Sequence, residues 1–447
     1  MARRRSRSNR IVAEPQIGLI EDMTHEGNGI TRLEGKTVFV AGALTGEKVK
    51  YQQVKHGKTY DEADLVEVLE ASPDRVEPRC EYFGYCGGCS LQHMEASSQI
   101  KYKQKVLVDN LQRIGNVVAE EILEPLTGPS WHYRRKARLG VKDVPKKGRV
   151  LVGFREKRAP YIADIKSCQV LESSVGLKLA ELSEMIEKLS IKTRLPQIEV
   201  AIGDNAVGLV FRVMDEPTEE DLAILREFAA TENFAVWLQP KGPETIYPLD
   251  DHKTQLYYEL PDYDTRVNFL PSDFTQVNPE LNKKMVKRAV GMLDVQPGQQ
   301  VLELFAGLGN FTVPLARQAG ADGEVVTVEG DATLVARGED NAKQNGCTNT
   351  TGYVANLYED CTNEPWYGRK FDRVLIDPPR SGAAEILAMI AASSPEKIVY
   401  VSCHPGTLAR DAGILVNDHG YKLVQAGAMD MFPHTAHVES IALFEKA

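Results

Sequence analysis

No stretch of about eighteen apolar residues occurs in this chain, so a membrane-spanning helix is not expected. No secretory signal precedes the first folded segment, and a soluble, cytoplasmic protein with reduced thiols is expected. An excess of positive charge is missing too. The formal net charge is −10, which argues against a uniformly basic nucleic-acid binder, although distribution matters more than the total. Met1–Arg10 holds five arginines and no acid, the composition of a disordered tail for which phosphate contact is one reading. Internal repeats and long low-complexity linkers are absent. At 447 residues the chain is long enough for three domains.

Against these absences stand two short runs, each at the end of a strand-like apolar stretch. Asp377-Pro-Pro-Arg380 follows Phe371–Ile376, and Ser402-Cys403-His404-Pro405 follows Lys397–Val401. In an open α/β sheet, ligands bind beyond the carboxyl ends of the strands. A carboxylate and a thiol at neighbouring strand ends would face the same ligand, which suggests a nucleophilic cysteine beside a bound cofactor. The flanking Ser402, His404 and Pro405 are not core residues, so Cys403 does not read as a structural cysteine.

Upstream, Gln300–Phe305 reads as a buried strand and Ala306-Gly-Leu-Gly-Asn-Phe311 as the turn into a helix. The small residues let a ligand approach the backbone. Thr312 occupies the place of the third glycine of G-x-G-x-x-G, so this is not the dinucleotide fingerprint. A second strand, Glu324–Glu329, ends in a carboxylate about twenty residues on, the distance at which ribose hydroxyls are commonly held.

A separate constellation is made of thiols. Cys80, Cys86 and Cys89 form a tight group, and Cys168 lies in Asp164-Ile-Lys-Ser-Cys168-Gln. Clustered cysteines without a secretory signal read as metal ligands rather than disulfides. Four thiolates suit either tetrahedral zinc or an iron–sulfur cluster. The radical-generating C-x3-C-x2-C pattern is absent. Cys347 and Cys361 remain as ordinary packing or surface cysteines.

Taken together, Glu303-Leu-Phe-Ala-Gly-Leu-Gly-Asn310, Asp377-Pro-Pro-Arg-Ser-Gly382 and Val401-Ser-Cys-His404 resemble the S-adenosylmethionine-dependent RNA uracil-C5 methyltransferases. The likeness extends from about Glu14 to the C-terminus. It is strongest to the bacterial branch acting on 23S ribosomal RNA, which carries a TRAM domain and an iron–sulfur cluster. Uracil C5 is too weak a nucleophile to take a methyl group unaided. A thiolate adding at C6 raises electron density at C5, which is covalent catalysis. The resemblance implies Cys403 as nucleophile and Glu439, in His434-Thr-Ala-His437-Val-Glu439, as the base that removes the C5 proton. On chemistry alone His437 competes, since an imidazole titrates near neutrality. The resemblance also implies donor contacts from Gln276, Phe305, Asn310, Glu329, Asn356 and Asp377. It favours a [4Fe–4S] cluster on Cys80, Cys86, Cys89 and Cys168, in a structural role. In amino-methyltransferases an aromatic residue follows Asp-Pro-Pro; here Arg380 follows, which argues for carbon methylation.

Residues 14–72 alternate short β-type runs with glycine turns, consistent with an OB-like barrel of about five strands and resembling a TRAM domain. Ser97–Arg113 reads as an amphipathic helix. Trp131-His-Tyr-Arg-Arg-Lys-Ala-Arg138 interleaves aromatics with cations, which suits RNA; Arg138 and Phe274 are candidate RNA contacts, with Arg138 the first choice in this run for a contact in the active site. Beyond Gly298, strand and helix segments alternate, indicating a doubly wound sheet. The expected organisation is therefore a basic tail (1–13), the barrel (14–72), a central α+β cluster domain (73–98 and 130–265) and a seven-stranded Rossmann-like methyltransferase domain (99–129 and 266–447), acting as a monomer. Three rival functions remain: a transfer RNA T-loop uridine methyltransferase, a radical methylthiotransferase weakened by the missing cysteine pattern, and a non-catalytic RNA-binding iron–sulfur protein.

Overall fold

The computed structural model describes residues 14–447; the arginine-rich tail lies outside the described residues. The first unit is a six-stranded sheet of Gln16–Leu19, Asp22–Met23, Asn28–Leu33, Lys36–Ala41, Lys48–His56 and Tyr60–Glu70. Along Lys48–His56, Val49, Tyr51 and Gln53 point inward while their neighbours face outward, the period of two that one buried sheet face requires. Ile20, Val38, Val40 and Ala63 complete its core. The sheet curls on itself: Gly18 in the first strand lies so close to Thr31 that an added Cβ would stand 2.7 Å from the threonine Oγ1. Six strands form where about five are expected, because the chain around the His25–Gly29 turn pairs as a hairpin.

The second sheet runs in the order Tyr247–Pro248, Phe234–Gln239, Val207–Arg212, Gln197–Ile202, Lys136–Val144, Arg149–Gly153. Val207–Arg212 and Phe234–Gln239 are parallel, so a crossover must join them, and helix Glu219–Glu232 supplies it. Thr218 starts that helix through a reciprocal capping box with Asp221, which satisfies backbone donors the first turn leaves free. The cysteine-bearing stretch 80–90 has no helix or strand and folds as successive turns.

The largest sheet has eight strands, ordered Thr350–Val354, Glu324–Glu329, Gln300–Leu304, Arg373–Ile376, Lys397–Ser402, Glu439–Lys446, Tyr421–Met429, Glu121–Ile122. The first five are mutually parallel, and Glu439–Lys446 is antiparallel to both neighbours. The eighth strand, beyond the seven expected, is the two-residue Glu121–Ile122 beside Tyr421–Met429. It follows helix Ala96–Arg113, whose Ile100, Leu107 and Leu111 join the core of this sheet with Leu408 and Ala412. Burying Leu107 and Leu111 contributes about 1.5–3 kcal/mol each, which ties the helix to this sheet although the second sheet intervenes in sequence. Among the described residues, no helix is long and apolar enough to cross a membrane.

Candidate active site

Strand Gln300–Leu304 is buried from Val301 onward and delivers the chain to a turn in which Phe305, Gly307 and Gly309 all have positive φ, at 60°, 54° and 88°. Phe305 is the costly one, because its Cβ crowds the backbone there. The turn is held from the next strand. Gly307 N–H donates to Glu329 Oε2 at 3.1 Å, while Glu329 Oε1 accepts from Gly330 N–H at 2.8 Å. Thr312, in place of a third glycine, donates its hydroxyl to buried Glu303 at 2.6 Å. Burial, and then the nearby Asp377 charge, push the Glu303 carboxyl up to about 8. Asn310 accepts from the Tyr258 hydroxyl at 2.9 Å and exchanges two hydrogen bonds with Asn282.

These groups line a cavity of about 630 Å³. Gln276, Phe305, Asn310, Glu329, Asn356 and Asp377 are all in its wall, and so are Cys403, Glu439 and the exposed Phe274. Residues spread over 166 positions of sequence, from Phe274 to Glu439, are thereby brought to one sheet edge. The wall joins apolar faces at Phe305, Leu334 and Leu357 to a carboxylate at Glu329, a donor set that fits an aromatic base with a ribose. Arg138 does not join it. It pairs with Glu199 at 2.8 Å and lines a different groove.

Strand Lys397–Ser402 ends immediately before Cys403, and helix Pro405–Asn417 starts two residues after it. His404 caps that helix by accepting from Thr407 N–H at 3.2 Å. Positioning a thiol ahead of a helix N-terminus favours its thiolate. Burial nevertheless raises the Cys403 thiol to about 11, helped by the Glu439 and Asp377 carboxylates and opposed by Arg380. Burial raises Asp377 to about 7. Glu439 is lifted well above the ordinary carboxylate range by burial and by Asp377. His437 behaves in the opposite way. Arg380 Nη2 donates to its Nδ1 at 2.9 Å, and burial plus that guanidinium lower its pKa. An imidazole whose lone pair already accepts from a cation is a weak base.

A second cavity, of about 650 Å³, reaches Cys403 from the other side, between His25 and Glu26 of the first sheet, Asn110 of helix Ala96–Arg113, and Thr435. The two cavities share Arg380, Cys403 and His437. The Cys403 thiol is thus reachable from two cavities.

Cys80, Cys86, Cys89 and Cys168 line a cavity of about 220 Å³ together with Phe154 and Tyr133. Burial, reinforced by the charges of the neighbouring cysteines, raises Cys86 to about 11 and Cys89 to about 12. The four thiols thus face one cavity, and four cysteine sulfurs are a donor set that suits zinc or an iron–sulfur cluster. Among the described residues, no group of three or more His, Cys, Asp or Glu side chains is arranged to hold a metal ion. Cys347 and Cys361 are buried in the sheet cores, where packing accounts for them.

The family profile described as tRNA (Uracil-5-)-methyltransferase matches residues 96–356 and 366–447. The chain belongs to the RNA uracil-C5 methyltransferase family. Full-length relatives in this family include the 23S rRNA (uracil(1939)-C(5))-methyltransferase RlmD of Alkalilimnicola ehrlichii, 51% identical over 100% of this chain and 99% of the relative. The RlmD of Xanthomonas oryzae pv. oryzae is 49% identical over 100% of both chains. Among solved structures, the Pyrococcus abyssi tRNA (uracil-54, C5)-methyltransferase in complex with S-adenosyl-L-homocysteine superposes with a TM-score of 0.74. At 22% identity, covering 96% of this chain and 100% of that one, it carries the fold alone. Motif reading assigns no role to Glu303 and does not foresee the contact of Arg380 with His437. The signal for Arg380 was the absent aromatic after Asp-Pro-Pro; for Glu303, a lone acid inside an apolar strand.

Proposed function

We propose that this protein transfers a methyl group from S-adenosylmethionine to C5 of a uridine in 23S ribosomal RNA, at the position equivalent to the uracil 1939 named for its relatives. The observation that carries the reading is the meeting of two cavities at Cys403, with Glu439 beside it. The donor occupies the cavity between Phe305, Glu329 and Asp377 and supplies an electrophilic methyl. The uridine, flipped out of its strand, enters from the His25 side.

The Cys403 thiolate adds to C6, and the C5–C6 π electrons move toward the C4 carbonyl oxygen. C5 then attacks the methyl carbon, and the carbon–sulfur bond of the donor breaks to leave a neutral thioether. Glu439 takes the C5 proton, the electron pair re-forms C5=C6, and the Cys403 thiolate departs. Burial supports Glu439 as the base, since a carboxylate with a raised pKa is matched to that transfer. The Arg380 bond to His437 counts against the imidazole. Arg380 also opposes the carboxylate charges that hold the Cys403 thiol protonated.

Cys80, Cys86, Cys89 and Cys168 would hold a [4Fe–4S] cluster, which supplies cross-linking rather than electron transfer, since the reaction moves no net electrons. Residues 14–72 serve as a TRAM-type RNA-binding unit, and Arg138 and Phe274 remain proposed RNA contacts. The protein acts as a monomer in the cytoplasm, where its substrate is made. Mapping 5-methyluridine in ribosomal and transfer RNA of a deletion strain tests the reading. Loss at one 23S position supports it, and loss confined to the transfer RNA T-loop transfers the function to that rival.

A further inference from the structure

The segment between the last two strands, Asp430–Val438, is a wall common to three cavities. Phe432 and His437 face the donor cavity, Thr435 and Ala436 the second cavity, and Thr435 and His437 the cysteine cavity. Such a loop, one residue ahead of Glu439, decides where the base stands. Its own backbone does not favour the position: His434 is held at φ +66°.

What holds it comes from elsewhere in the chain. Gln99, 1% exposed, accepts from His434 N–H at 2.7 Å through Oε1. Its Nε2 faces His434 Nδ1 at 3.1 Å and the carbonyls of Leu91 and Met94 at 3.0 and 2.8 Å. Amide nitrogen can only donate, so His434 Nδ1 accepts. The His434 carbonyl in turn accepts from Ser90 N–H and Leu91 N–H at 2.9 and 3.0 Å, and Ser90 Oγ accepts from Ala436 N–H at 3.1 Å. Ser90 is the residue after Cys89. Trp131 stacks on the His434 ring at 3.8 Å, Tyr133 OH donates to the Pro433 carbonyl at 3.0 Å, and buried Lys103 donates to Asp430 at 2.6 Å and to the Phe432 carbonyl at 2.9 Å.

We propose that Gln99 is a positioning residue for the proton-removal step, fastening the loop before Glu439 to the cysteine segment through His434, Ser90 and Leu91. The inference rests on the function proposed above. Cys403 and Asp377 lie at the ends of other strands and are not fastened by this latch, which reaches Cys403 only indirectly, through the His437–Arg380 contact. Disturbing it therefore slows the step after methyl transfer more than the steps before it, which meet this loop only through the cavity wall. The cysteine segment gains a role in catalysis by the same route, because its integrity fixes where Ser90 and Leu91 stand.

The test uses full-length, anaerobically purified protein carrying Gln99→Met, which keeps shape and removes the hydrogen bonds. A Ser90→Ala variant removes the Ala436 bond alone and serves if the first does not fold. Capture of 5-fluorouridine RNA in the presence of S-adenosylmethionine needs addition and methyl transfer but no C5 proton, and should proceed within about twofold of the unsubstituted rate. Turnover of ordinary RNA should fall about tenfold or more in Gln99→Met and less in Ser90→Ala. A denaturation-resistant methylated protein–RNA adduct should accumulate in both. Parallel loss of capture and turnover with no adduct would overturn the proposal, as would unchanged turnover. Failure of the unsubstituted protein to capture fluorouridine RNA at all would strike the proposed function itself, so the two failures are distinguishable.

Discussion

Ser440 Oγ donates to the Ser402 carbonyl at 3.2 Å, and the two serines are direct partners across the antiparallel strands. The next residue outward on one strand is Cys403 and on the other Glu439. Antiparallel pairing therefore sets the Cys403 thiol and the Glu439 carboxyl, the proposed nucleophile and base, side by side at one end of the sheet, with no loop intervening on the cysteine side. A parallel final strand would have carried Glu439 to the opposite end of the sheet.

Nucleophile and base should part company on substitution. Cys403→Ala abolishes methylation and capture of 5-fluorouridine RNA, because no C6 adduct forms. Glu439→Gln keeps addition and methyl transfer, and a denaturation-resistant adduct accumulates with ordinary RNA and donor. Gel analysis of labelled RNA after denaturation reads both. Native turnover in Glu439→Gln, or adduct formation with a His437 substitution instead, would reassign the base.

The ligand-free protein should lose stability as pH rises. Asp377 and Glu303 are buried with carboxyls at about 7 and about 8, whereas in the unfolded chain they ionise near their ordinary values. Their contribution is complete below about pH 4 and is lost as pH climbs through their folded-state values. At about 1.4 kcal/mol per unit, the Asp377 contribution alone is on the order of 4 kcal/mol. Calorimetry of Asp377→Asn from pH 4 to 9 should show a flatter decline than the unsubstituted protein, together with lost donor binding. Superimposable profiles would contradict the burial assigned to Asp377.

Anaerobic purification should give a brown protein with about four irons and four sulfides. Cys86→Ser and Cys89→Ser should lower both together, and Cys86→Ser should also destabilise the second sheet, against whose core Cys86 and Phe154 pack. Stoichiometric zinc without labile sulfide would replace the cluster with a mononuclear site.

Arg138→Ala should leave the rate of fluorouridine capture at saturating RNA unchanged, because Arg138 is paired with Glu199 in a separate groove. The exposed ion pair it gives up is worth about 0–1 kcal/mol. Filter binding should show at most a slightly weaker RNA affinity and a shallower salt dependence. A large fall in capture rate would return Arg138 to the active site.

Local chemistry was legible from the chain alone. The turn at Ala306–Phe311, the carboxylate ending Glu324–Glu329 and the thiol ending Lys397–Ser402 are written within a few residues each, because a parallel strand is a continuous apolar run and its end is a change of composition. The cysteine quartet was legible for a similar reason, as thiols are few and their grouping is conspicuous. The eighth strand was not. Glu121–Ile122 is two residues long, too short to show a period, and it exists only because Tyr421–Met429 offers an open edge.

Arg138 shows the limit most plainly. A basic, aromatic-rich run predicts affinity for phosphates but not where the run will sit, and strand pairing with Gln197–Ile202 turned Arg138 toward Glu199. The Gln99 latch was equally invisible, since its partners lie 8 and 335 residues away and each is ordinary in composition. Sequence by itself determined which groups can do the chemistry, because reactivity belongs to residue types and strand ends. Only the tertiary structure decided which of them meet, and how burial shifts their proton affinities, because desolvation and long-range contact arise only when distant segments pack together.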